Sequence, residues 1–259
     1  MSSGARAWVT VPRPQPAARL RLVCLPHAGA GASSFFPWGA ALQPAGIEVR
    51  SVQYPGRENR LAEACIDEAG AMVRALADAW PEISGFDQLT ADGGGRCALY
   101  GHSMGSLLGF ELAAELARRG TANRPEHLFL SGHNPPHLAS RLPLLHTLPD
   151  GEFLPAVAKH YGNLPAELIA DRELAALIAP ILRADFKLVD EYRWRGAGPT
   201  PTPLTVLGGT NDPWTTEAEL AEWSRHTRGK FQRRMFAGDH FFHQQNRAAV
   251  LELVQKELS

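Results

Sequence analysis

Leu99-Tyr100-Gly101-His102-Ser103-Met104-Gly105-Ser106 is a G-x-S-x-G pentapeptide set between two kinds of sequence. Cys97, Ala98, Leu99 and Tyr100 run into it as an apolar, strand-like stretch, and Leu107 to Arg119 follow with helical character. A strand that turns sharply into a helix holds its serine in a strained turn, with the hydroxyl exposed above a sheet. Glycines at 101 and 105 let strand and helix approach closely. The helix N-terminus then points its free N–H groups and partial positive charge toward the serine, which favours a developing anion there. Read alone, the same pentapeptide fits an ordinary strand-to-helix turn with a serine N-cap, so the rest of the chain must supply a base, an orienting acid and a second oxyanion donor.

Short apolar strands alternate with helices on both sides of this turn. Strands are predicted at Arg19 to Leu25, Ile47 to Gln53, Leu128 to Ser131, Pro203 to Leu207 and Phe231 to Phe236. Helices are predicted over Ser34 to Leu42, Ile66 to Trp80, 104–119, 216–226 and 244–258, with Gly120 as a C-cap. Such alternation implies a mostly parallel sheet with helices on both faces. Residues 133–196 break the pattern: they hold no convincing strand and two or three helices, the last over roughly Glu173 to Tyr192 with Pro180 inside it as a kink. They read as an insertion over the C-terminal edge of the sheet, where open α/β sheets bind ligands. Residues 1–17, polar and rich in Pro and Ala, read as a loose lead-in to a single domain over 18–259, and Gly93-Gly94-Gly95 as a flexible bend.

Two further loops complete a constellation. Asp212 follows the strand ending in Leu207-Gly208-Gly209, and His240 follows the strand 231–236. Separately, Asp212 could be a turn aspartate in Asn-Asp-Pro, and His240 is one of 10 histidines. Together, serine, then acid, then histidine, each just past a strand, is the chain order of an α/β-hydrolase. The other histidines fit less well: His102 lies inside the turn and is expected to point away from the serine's side, His27 belongs to the loop after the first core strand, and His243 falls at the last helix. Oxyanion donors are expected at the backbone N–H of Met104, directly after the serine, and of Ala28 in Pro26-His27-Ala28-Gly29. The implied chemistry is two-step acyl transfer: His240 takes the Ser103 proton, Ser103 attacks an acyl carbonyl, and Asp212 fixes the imidazole tautomer.

Bulk properties narrow the classes. The 259 residues are 44% apolar and carry a formal net charge of −1, which allows a full core and argues against nucleic-acid binding. No apolar run approaches a membrane span, and the first residues lack the basic-then-apolar pattern expected of a secretory signal. Cys24, Cys65 and Cys97 have no framework spacing and fit a reducing, cytoplasmic setting. No cofactor and no metal are expected.

The chain resembles the stand-alone type II thioesterases that accompany polyketide and nonribosomal peptide synthases, from about Arg19 to Leu253. The likeness rests on Leu25-Pro26-His27-Ala28-Gly29, on Tyr54-Pro55-Gly56-Arg57-Glu58-Asn59-Arg60, on the serine motif, and on Leu148-Pro149-Asp150 with Glu152-Phe153. It continues through Arg183-Ala184-Asp185-Phe186, Leu207-Gly208-Gly209 with Asp212-Pro213, and His240-Phe241-Phe242. The resemblance implies an α/β-hydrolase fold with a helical lid at about 133–196, the same triad, and hydrolysis of stalled or wrong acyl groups from the phosphopantetheine thiol of acyl or peptidyl carrier proteins. Asp239 stands where the family usually has glycine, and Ser106 where alanine is common. Arg57-Glu58 reads as a polar turn with an internal salt bridge, and Arg57, Arg60, Arg183 and Arg193 are candidates for meeting an acidic carrier. A small-molecule carboxylesterase or lipase on the same fold, or a non-catalytic binding protein, would share the triad but not the Pro-Gly-Arg-Glu and Arg-Ala-Asp-Phe blocks.

Overall fold

Strand β2 (Leu20–Leu25) is apolar on both faces because both faces are covered. Leu22 and Cys24 pack on one side, and Val23 and Leu25 on the other, the period-2 split of a strand buried between helix layers. Strand β4 (Arg96–His102) repeats it, with Ala98 and Tyr100 on the first side and Cys97 and Leu99 on the second. The computed structural model describes residues 8–86, 95–138, 143–162, 164–196 and 198–259. Gly93 and Gly94 of the expected bend, residues 1–7 of the lead-in, and residues 139–142, 163 and 197 of the insertion and its exit lie outside them.

The sheet has 7 strands in the order β1-β3-β2-β4-β5-β6-β7. The others are β1 (Val9–Thr10), β3 (Ile47–Val52), β5 (His127–Ser131), β6 (Leu204–Gly209) and β7 (Phe231–Phe236). β2 to β7 pair in parallel, and β1 lies antiparallel on β3, with Val9 opposite Val52 and Thr10 opposite Ser51. That edge pairing corrects the reading of the lead-in as loose at Val9 and Thr10. Gln15 adds to it: its backbone N–H donates to Glu48 Oε2 at 2.7 Å and its side chain to Ile47 O at 3.0 Å. Two-residue pairing leaves no periodic signal, so composition alone could not show it.

The helices are α1 (Phe36–Leu42), α2 (Ala69–Asp78), α3 (Trp80–Ser84), α4 (Met104–Arg118), α5 (Asp150–Tyr161), α6 (Ala166–Ala170), α7 (Arg172–Asp190), α8 (Glu217–Ala221), α9 (Phe242–Gln245) and α10 (Arg247–Leu258). The helix expected over Ile66 to Trp80 starts later, at Ala69, where the Glu68 side chain accepts from the N–H groups of Gly70 and Ala71. It gives way to α3 because Pro81 has no N–H to continue the ladder. One face of the sheet is covered by α2, α3 and α4 with Trp223, and the other by α1 and α10. Between β5 and β6 lie α5, α6 and α7, with a separate apolar cluster of Leu145, Phe153, Leu154, Val157, Leu182 and Phe186. Helix α7 runs unbroken through Pro180.

Candidate active site

Parallel strands end at one edge of a sheet, and the loops leaving β2, β4, β6 and β7 meet there. Ser103 follows β4 directly and has φ 54° and ψ −117°, a backbone region that costs a non-glycine residue about 1–3 kcal/mol. Neighbours hold it: the Ser103 N–H donates to Ser131 O at 2.8 Å, and Ser103 O accepts from the Ser106 N–H at 2.9 Å. The flanking glycines are steric requirements. A Cβ on Gly101 would lie 2.1 Å from Gly105 O, and one on Gly105 would lie 2.1 Å from Leu25 O. Ser106 clamps the same junction, its hydroxyl donating to Gly101 O at 2.8 Å or to Ser131 O at 2.7 Å and accepting from the Ser131 N–H at 2.8 Å. Alanine there would lose these bonds, so Ser106 is a local brace.

The acid and histidine loops are held together through their backbones. Thr210 N–H donates to Phe236 O at 2.8 Å and Asn211 N–H to Gly238 O at 2.9 Å. Gly209 permits this, since a Cβ there would meet Asp239 O at 2.3 Å. The result is a hydrogen bond of 2.8 Å between His240 Nδ1 and Asp212 Oδ2, with both residues buried. The same Oδ2 accepts from Thr215 Oγ1 at 2.8 Å, and Oδ1 accepts from the Trp214 N–H at 2.9 Å. Burial pushes the Asp212 carboxyl up, but the bonds from His240, Trp214 and Thr215 outweigh it and its pKa lies below the ordinary value. An ionised acceptor there puts the proton on His240 Nδ1 and leaves the Nε2 lone pair available. Nε2 has no hydrogen bond among the described residues.

Ser103 and His240 line one cavity with His27, Ala28, Met104 and Phe241 from the sheet edge, Val157 and Tyr161 from α5, and Leu182, Phe186 and Val189 from α7. Its volume is about 30 Å³, room for a few water molecules. The Met104 N–H opens α4 and has no acceptor one turn back, and Ala28 borders the same space from the opposite loop. The five residues singled out from the sequence thus sit at one edge, with Asp212 and His240 in direct contact.

Several partners were not legible in the sequence. His102 shares a strand face with Ala98 and Tyr100, and the loop carrying His240 crosses that face. Its ring centroid therefore lies 5.1 Å from that of His240 and 3.9 Å from that of His243, while His102 itself does not line the cavity that Ser103 and His240 share. Its Nδ1 bonds Ser131 Oγ at 2.9 Å. Burial, reinforced by neighbouring histidines, holds His102 far below the ordinary imidazole range and His243 at about 3. Asp239 Oδ1 accepts from the Phe241 N–H at 2.8 Å, capping a turn. Arg57 does not pair with Glu58. It pairs with Asp185, while Glu58 accepts from Ser33 Oγ at 2.6 Å. Arg57 and Arg60 are only 3% and 4% exposed, so as placed neither can meet a carrier. Arg60 instead grips Glu63 and stacks on Trp8. Arg183 is held by His146 O, Leu148 O and Asp150, and Arg193 by Asp190 O and Tyr192 O. Among the described residues no group of three or more His, Cys, Asp or Glu is arranged to hold a metal ion.

A mostly parallel sheet with helices on both faces and a serine elbow at its C-terminal edge is the α/β-hydrolase fold. The chain belongs to the thioesterase family, whose domain profile matches residues 20–258. It is a hydrolase acting on thioesters. It is 35% identical over 256 residues to the gramicidin S biosynthesis protein GrsT of Aneurinibacillus migulanus, covering 99% of this chain and 95% of that protein. It is 38% identical to the thioesterase PikA5 of Streptomyces venezuelae, covering 91% and 79%. Among solved structures, the type II thioesterase BorB of the borrelidin biosynthetic cluster superposes with a TM-score of 0.84 at 33% identity, covering 97% and 98%.

Proposed function

We propose that this thioesterase clears stalled or wrong acyl groups from the phosphopantetheine thiol of acyl or peptidyl carrier proteins in a polyketide or nonribosomal peptide pathway. The observation that carries the chemistry is the His240–Asp212 hydrogen bond, made beside the cavity that the elbow serine also lines. His240 Nε2 takes the hydroxyl proton as Ser103 Oγ bonds to the acyl carbon. The N–H groups of Ala28 and Met104 hold the oxyanion. Collapse of the tetrahedral intermediate breaks the C–S bond, and the imidazolium returns its proton to the departing thiol. Water then attacks the acyl-serine with His240 as base, releasing a carboxylic acid and restoring Ser103. Nucleophile and base need not touch in the free enzyme, because such bonds tighten when substrate is bound.

Relatives named for gramicidin S biosynthesis and the borrelidin biosynthetic cluster support the pathway assignment. The cavity supports a lid function for the insertion: α5 and α7 supply five of its lining residues, so movement of either helix widens the space over Ser103 for an acyl-pantetheine arm. Cys24, Cys65 and Cys97 are free thiols, consistent with a cytoplasmic enzyme. Among the described residues no helix is long and apolar enough to cross a membrane.

The test is a panel of acyl-loaded carrier proteins beside simple acyl esters. Release of short acyl groups from carriers, abolished by Ser103→Ala, is expected. Rapid ester cleavage with no turnover on any acyl carrier would overturn the proposal in favour of a carboxylesterase.

A further inference from the structure

The Pro-Gly-Arg-Glu and Arg-Ala-Asp-Phe blocks lie outside the triad, yet they meet at one buried point. Arg57 Nη1 donates to Asp185 Oδ2 at 2.6 Å and Nη2 donates to Oδ1 at 2.8 Å, a two-pronged pair. Asp185 is 0% exposed. Its Oδ2 also accepts from the Gly29 N–H at 2.7 Å, and Arg57 Nη1 reaches Ala30 O at 3.3 Å. The two charges therefore grip the loop 27–30 from both sides of its turn, by one donor and one acceptor. That loop carries Ala28.

The same contact fixes the loop to α7. Leu182, Asp185, Phe186 and Val189 recur at helical spacing on one stripe of α7, and the three apolar members wall the cavity. Leu182 Cδ2 fills the place where a Cβ on Gly29 would stand, 2.5 Å away. A carboxylate within such a stripe carries a desolvation cost that a well-packed apolar residue would avoid, so stability alone is a poor account of it.

We propose that Arg57 and Asp185 are positioning residues that aim the Ala28 N–H at the acyl carbonyl, keeping the oxyanion loop and α7 as one unit. The inference rests on the reading of Ser103 as nucleophile and Ala28 as oxyanion donor. Oxyanion donors act on the transition state far more than on bound substrate. Misplacing one by about 1 Å costs on the order of a hundredfold in rate. Loss of the pair therefore lowers kcat and leaves KM nearly unchanged.

The experiment measures kcat, KM and Tm on propionyl-N-acetylcysteamine thioester for Asp185→Asn, Arg57→Lys and the apolar double variant Arg57→Met/Asp185→Leu. Wild type and Ser103→Ala are run alongside. Both single variants are expected to lose roughly 10- to 100-fold in kcat, with KM within about threefold. In the double variant the Tm returns toward wild type, because no unpaired charge stays buried, while kcat stays low. Recovery of kcat together with Tm would show a merely structural pair and overturn the inference. If the double variant does not fold, the singles decide: an unchanged kcat, or a loss carried by KM, overturns it equally. Wild-type hydrolysis by Ser103→Ala would instead remove the reading of the site, and this inference with it.

Discussion

Replacing Asp212 by asparagine changes one atom and, by the geometry of its neighbours, reverses the proton on His240. Asp212 Oδ1 faces the Trp214 N–H at 2.9 Å, while Oδ2 faces both Thr215 Oγ1 and His240 Nδ1 at 2.8 Å. An amide must put its NH2 at one of these two places. At the Oδ1 place it would oppose a backbone donor that cannot turn around, leaving buried donors unpaired at about 1–3 kcal/mol. At the Oδ2 place the Thr215 hydroxyl can rotate to accept, and His240 Nδ1 can accept if its proton moves to Nε2. The second arrangement wins, and it presents an N–H where a base is needed. The expected loss is about a thousand- to ten-thousand-fold in kcat, equivalent to roughly 4–5.5 kcal/mol of transition-state stabilisation. The Tm should move little, since the contacts of residue 212 to Trp214, Thr215 and His240 Nδ1 all persist. The assay follows thiol release from a short acyl-N-acetylcysteamine thioester with a colorimetric disulfide reagent, beside thermal melts. A kcat within tenfold of wild type, in a variant that melts normally, would refute the tautomer argument.

Three other outcomes follow from the same contacts. Gly105→Ala places a Cβ 2.1 Å from Leu25 O and 2.8 Å from Pro26 O. It should destabilise the fold by about 3 kcal/mol and cut activity, and an unchanged melt and rate would contradict the elbow packing. Phe186→Ala opens the cavity wall beside Tyr161 and Phe153. A stability loss of about 3–5 kcal/mol should accompany a shift in kcat/KM toward longer acyl chains, whereas an unchanged chain-length profile would show that α7 does not limit the space. Below about pH 6.5, stability should decline with acidification. His102 and His243 stay neutral when folded, the latter down to about 3, but take up protons when unfolded near 6.5. The unfolded state then binds more protons, and stability falls with falling pH. Asp212 acts in the same direction at lower pH, because its depressed pKa means its share is lost as pH drops through the folded value. Burial holds His27, His127, His133 and His226 low as well, so denaturant unfolding at pH 5 should report an uptake of several protons; a flat profile from pH 7 to 5 would contradict their burial as neutral rings.

What could be read from the sequence was local or ordered along the chain. The elbow announces itself because strand, glycines and helix are adjacent in sequence, and Asp212 and His240 because each closely follows an apolar strand. Strand ends fell within a residue or two of expectation where both faces are buried, as in β2, and helix ends less well where a cap or a proline intrudes, as at Glu68 and Pro81. Contacts between distant segments stayed hidden. Arg57 and Asp185 lie 128 positions apart, and nothing in either block shows that one holds the other. The position of His102 depends on where the β7 loop crosses the sheet, a tertiary fact that strand alternation alone does not give. Thr215, three residues after the acid, offered a weak signal: a hydroxyl at that spacing commonly bonds an aspartate side chain in a turn.

The account stands most directly on a covalent bond. Acid quenching within the first turnover on a propionyl thioester, followed by peptide mass mapping, should find the propionyl mass on the peptide carrying Ser103 and lose it in Ser103→Ala. A hydrolytically active wild-type enzyme whose acyl group is trapped on another residue, with Ser103→Ala still turning over, would contradict it.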